Sequence, residues 1–90
     1  MNESFESKIE TMISEMEPRA MTGDCDAMLF LTTLHHDLAV RRLSWAHFET
    51  AESFLRDAAD QGYAEAIERM KTWDVLRYAL KKRIARSGVA

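Results

Sequence analysis

Scarcity of cysteine, proline and glycine narrows this chain first. One cysteine, Cys25, excludes an internal disulfide and points to a reducing compartment. One proline and three glycines leave little room for the many tight turns of a β architecture. No uninterrupted apolar run is long enough to span a bilayer, which needs about 18 residues or more. The first 20 residues carry five glutamates and no continuous apolar core, the opposite of a secretory signal. A cytoplasmic protein is the expectation. Phosphate loops rich in glycine are absent, as are Cys-x-x-Cys and His-x-x-x-His spacings. His35 and His36 are adjacent, so on a helix they point about 100° apart and converge poorly on a metal. They read as a partly exposed helix end. No histidine is positioned by the sequence to activate Cys25 or a serine. Neither an enzyme nor a bound cofactor or metal is expected.

What is present is helical. The 90 residues are 47% hydrophobic and 30% charged, the balance of a single small folded domain. Phe5, Ile9, Met12, Ile13 and Met16 recur at helical spacing after the candidate caps Asn2 and Ser4, with Glu3 and Glu6 at the positive helix end. That predicts a helix over about 4–16, with Pro18 ending it or beginning a short new turn. A second helix is predicted over about 24–37, with an extension to Val40 open, with Asp24 as cap, Leu31, Leu34 and Leu38 inward, and Arg41 and Arg42 in the connection. The third, about 44–61, starts at Ser44 and buries Phe48, Ala51, Phe54, Leu55, Ala58 and Ala59. The fourth runs over about 64–86 with Ile67, Met70, Trp73, Leu76, Leu80 and Ile84 on one face.

Residues 51–66 organise this pattern. Ala51 and Ala58 are seven apart, as are Ala59 and Ala66, so each pair shares a helix face where another helix can approach closely. Gly62 then closes the helix in the left-handed region. Gly23 and the residues after it echo Gly62 and its successors at an offset of 39, and Ala20 matches Ala59. Cys25 falls on the echo of Ala64, a small packing position, and reads as a buried structural thiol. A period of this size points to helical-repeat architecture.

Ala51, Phe54, Ala58, Ala59, Gln61, Gly62, Ala64, Glu65 and Ala66 together resemble the Sel-one-like repeat, a short relative of the tetratricopeptide repeat. The match covers one full repeat and two partial ones. It departs at 36–44, where the family carries a glycine-rich loop and this chain has no glycine. The resemblance implies a tetratricopeptide-like, all-α stack of antiparallel helical hairpins. It also implies a scaffold for protein–protein interaction and not a catalyst.

Charge is divided unevenly. Residues 1–68 hold five Lys/Arg against 14 Asp/Glu, a charge of −9, while 69–90 hold seven against one, a charge of +6. Trp73, Leu76, Arg77, Tyr78, Leu80, Lys81 and Ile84 on the last helix form the expected interaction surface, because few chain segments remain to cover them. The basic end, about 77–90, is expected to project. A protein partner is expected there, with a homodimer as the first choice. An anti-activator or antitoxin-like regulator covering a partner's dimerisation surface is an alternative. So is a nucleic-acid-associated regulator, though the acidic body would repel phosphate.

Overall fold

The computed structural model describes residues 4–88. Four helices follow one another: α1, Phe5–Met21; α2, Cys25–Arg42; α3, Trp45–Asp60; and α4, Ala64–Ser87. No strand occurs among the described residues. Each helix packs on the next in sequence, and α4 also touches α2 lightly. The result is a flat array of antiparallel hairpins, 38 × 38 × 16 Å. No helix of the described residues is long and apolar enough to cross a membrane.

Three starts are set by side-chain caps. Ser4, Asp24 and Ser44 each accept a hydrogen bond from the backbone N–H three residues on, at 3.0, 3.1 and 3.3 Å. Asn2 and Glu3 lie outside the described residues. Tyr63 begins α4 without a side-chain cap. Its hydroxyl instead donates to the Asp26 carboxylate at the start of α2. That bond, with burial second, pushes the Tyr63 hydroxyl up to about 12.

α2 is the spine. Ala27, Leu31, Leu38 and Ala39 have almost no exposed surface, and Met28, Leu29, Thr32, Leu34 and His35 are also buried. Such a helix must be covered on more than one side, and α1 and α3 do so. Ile9 and Ile13 of α1 and Phe48, Ala51, Leu55 and Ala58 of α3 supply the covering side chains. Arg42 of α2 ties the far end of the first hairpin, pairing with Glu6 at 2.7 Å and Glu10 at 3.1 Å.

Two boundaries differ from the sequence expectation. α1 does not end at Pro18 but continues to Met21. A proline removes one helical hydrogen bond, that to the Ser14 carbonyl, and both residues lie on the exposed side where water can replace it. Ala20 beyond it is buried, which favours continuing the helix. α2 likewise runs past Asp37 and takes Arg41 and Arg42 into its last turn, because Leu38 and Ala39 both enter the core. Hence the connection to α3 shrinks to Leu43 and Ser44. Leu43 itself takes the left-handed conformation, at φ 51°. Its side chain packs against the core, which offsets a strain of about 1–2 kcal/mol.

Gly23 and Gly62 occupy the two hairpin turns with φ of 93° and 84°. The turns lie side by side. Cys25 Sγ donates to Gln61 Oε1 at 3.6 Å, and Gln61 Nε2 reaches Met28 Sδ at 3.7 Å. Cys25 is thus half-buried at the start of α2 and not enclosed in the core. Positions 39 apart share burial at Ala27 and Ala66, and at Leu34 and Trp73.

Ala51, Ala58 and Ala66 have no exposed surface, whereas Ala59 sits at the edge of the core. The fully enclosed position is therefore Ala58 and not Ala59. Ala58→Leu should cost about 1–3 kcal/mol by overpacking, and Ala59→Leu clearly less. Urea unfolding of both variants checks the order. A Cβ at Gly62 would meet nothing within 4 Å, so Gly62→Ala should cost only the left-handed backbone term, about 1 kcal/mol. A change in urea midpoint at unchanged slope is the expected signature.

Candidate interaction surface

The inner face of α4 is fixed by one tryptophan. Trp73 is only 4% exposed and stacks on Phe48 of α3, with ring centroids 4.8 Å apart. Its indole N–H needs a partner once buried, and it donates to Glu52 Oε1 at 3.1 Å. Arg77, one turn on, donates to the same carboxylate and to Asp74 at 3.0 Å, with its guanidinium 5.7 Å from the Phe48 ring centroid. Arg56 reaches Glu52 from within α3 at 2.5 Å. Partial burial pushes the Glu52 carboxyl up, but these three donors outweigh it and leave it below its ordinary value. Glu52 is thus the polar hub of the α3–α4 seam.

Two members of the expected surface are therefore not on the surface. Trp73 is enclosed, and Leu80 is 1% exposed in the core. Their spacing placed them correctly on one face, and α3 covers that face. Leu76, Arg77 and Ile84 are half-buried along its edge. Tyr78 and Lys81 are exposed, and the uncovered strip turns away from the core through Val75, Tyr78 and Lys82. Val75 and Tyr78 are 66% and 62% exposed. Lys82 Nζ lies 5.4 Å from the Tyr78 ring centroid. A shallow hollow of about 420 Å³ is lined by Tyr78, Lys81, Lys82, Ala85 and Arg86. Among the described residues, no ion pair engages Lys81, Lys82, Arg83 or Arg86. α4 has 24 residues against 16 in α3, and beyond Leu80 only Ile84 still packs on the core while its neighbours up to Ser87 are exposed.

On the other side of the seam a groove of about 770 Å³ opens between α3 and α4. Trp45 and Phe48 form its apolar wall, and Glu49, Glu52, Ser53, Arg56, Asp57 and Arg77 its polar one. Trp45 meets Phe48 edge-on at 5.4 Å.

His35 and His36 do not form a loose helix end. Pointing about 100° apart, they enter the α2–α3 interface at two places. His36 meets Phe48 and Trp73, at 6.0 and 5.8 Å between centroids. His35 is buried, stacks on Phe54 at 6.0 Å, and places its Nδ1 3.2 Å from Nδ1 of His47. Its Nε2 has no hydrogen-bond partner. That contact requires one ring to donate and the other to accept, which neutral imidazoles provide. Among the described residues, no three His, Cys, Asp or Glu side chains come together as a metal set.

Glu52 and the His35–His47 contact were not singled out by sequence reasoning. Glu52 lies one turn after Phe48 and one before Arg56, a signal that becomes legible only once Trp73 is known to need an acceptor. No family model matches the chain, and no curated protein or solved structure matches it.

Burial, then the nearby His47, holds His35 below its ordinary value, and burial does the same to His36. The folded chain thus refuses protons that the unfolded chain accepts as pH falls below about 6.5. The stability linked to these histidines should be complete above that pH and be lost progressively as the pH falls below it. His35→Phe should flatten this part of the profile, as read from urea midpoints at pH 7.5 and 5.5. Replacing Glu52 by Gln should cost about 1–2 kcal/mol at pH 7, because two guanidinium groups lose a charged acceptor.

Proposed function

We propose that this chain is a non-enzymatic protein–protein interaction module, a small adaptor or regulator whose binding face is the outer, C-terminal half of α4. One observation carries the reading. An exposed tyrosine and valine share the outer half of α4 with Lys81, Lys82, Arg83 and Arg86, which form no ion pair among the described residues, on a chain that is otherwise strongly acidic. An apolar centre with a charged rim is the make-up of a protein-binding patch. Tyrosine supplies contact area at low cost in conformational entropy. The Sel-one-like resemblance of residues 51–66 supports the same reading, and a cytoplasmic setting suits it. The partner it fits presents an acidic surface, and a second copy of the chain has one.

A regulator that covers its partner's dimerisation surface would use the same patch. Nucleic-acid binding is disfavoured by the −9 carried on residues 1–68, which adjoin the patch and oppose phosphate.

Fluorescence anisotropy tests the reading. At physiological salt a labelled polyglutamate peptide should bind, and duplex DNA should not. Lys81→Glu with Lys82→Glu and Arg83→Glu should abolish the peptide signal. Tyr78→Ala should weaken it at least threefold, which charge alone would not produce. Tight DNA binding with a steep salt slope would overturn it.

A further inference from the structure

The groove between α3 and α4 already holds two cations, Arg56 and Arg77, which share the Glu52 carboxylate. Arg77 sits at its edge, against the Phe48 ring and paired with Glu52. The remaining wall is built to hold another. Trp45 is exposed enough to accept a cation on its face, and Glu49 and Asp57 take part in no ion pair among the described residues. The chain's own surplus of unpaired cations begins one helical turn beyond Arg77, at Lys81. Lys81 does not line the groove of its own chain. It can enter the groove of another molecule.

We infer that a second copy of this chain occupies the uncovered end of α4, its basic turn at Lys81, Lys82 and Arg83 seated in the acidic, aromatic groove between α3 and α4. The inference rests on the interaction-module reading and names its partner. Charge complementarity selects this occupant: the strip is strongly positive, and in the groove wall Glu49 and Asp57 remain without ion pairs among the described residues, beside the Arg56–Glu52–Arg77 cluster. Symmetry permits it as well. Strip and groove adjoin on the same helix, so a two-fold axis between them seats each copy's strip in the other's groove at once. The contact is then closed and stops at two molecules. Tyr78 and Val75 would be covered in the same step.

Complementary charge reversal tests it. The wild-type chain at micromolar concentration should scatter light as twice its 10.4 kDa mass, and should dissociate as salt is raised. Glu49→Lys with Asp57→Lys makes the groove basic. Lys81→Glu, Lys82→Glu and Arg83→Glu together make the strip acidic. Each variant alone should be a monomer, since both its surfaces then carry one sign. Mixed in equal amounts, they should form a dimer, because the basic groove of one meets the acidic strip of the other and the reverse pairing is also complementary. A wild-type monomer, or variants that stay apart when mixed, would overturn the inference. Polyglutamate binding by the wild type then tells the two claims apart. If it persists without dimerisation, the α4 patch stands and its partner is another protein. If it too is lost, the patch reading falls with the dimer.

Discussion

Covering both sides of α2 is the constraint on which the rest of this structure depends. A helix with nine buried residues cannot stand at an edge, so one neighbour is needed on each side. α1 and α3 fill those places, and their small residues set how closely they can do so. Ala58 in α3 and Ala20 and Ala27 around the first turn let backbones approach where a larger side chain would hold them apart. Two glycines in the left-handed region then reverse the chain within about three residues each. The hairpins follow from these conditions with no long loop.

α4 has a different status. It packs chiefly on α3, and its hold depends on Trp73 against Phe48 and on the carboxylate of Glu52. Because only one of its faces is satisfied in this way, the other remains available. The same helix therefore completes the core and offers the surface proposed for binding. Its cations would stabilise the end of an isolated helix through the dipole, but four without ion pairs exceed what capping needs. The histidines add a second property. They place neutral, half-satisfied nitrogens in the α2–α3 interface, where acid acts on the spine itself.

Helix number, helix order and the two glycine turns were legible in the sequence, because periodicity and left-handed turn chemistry are local signals. The end of α1 was not. Pro18 usually stops a helix, and its tolerance here depends on water reaching Ser14 and on the burial of Ala20, which are tertiary facts. Ala58 and Ala59 could not be ranked, since adjacent residues on one face differ only in their angle to a neighbour. The site was half legible. Spacing grouped Trp73, Leu76, Leu80 and Ile84 on one side of α4, but not whether α3 would lie on it. The uncovered strip is the opposite side, marked by Val75, Tyr78 and the unpaired lysines. Its signal was the charge division along the chain, and not the apolar stripe.

Hydrogen exchange followed residue by residue, in dilute and concentrated solution, tests the central account most directly. α2 should be the slowest segment at any concentration, since its opening requires both neighbours to leave. Residues 81–88 should exchange fast when dilute and become protected as concentration rises. Equal protection of α2 and 81–88 in dilute solution would contradict it, because it would mean that the end of α4 is already covered within a single chain.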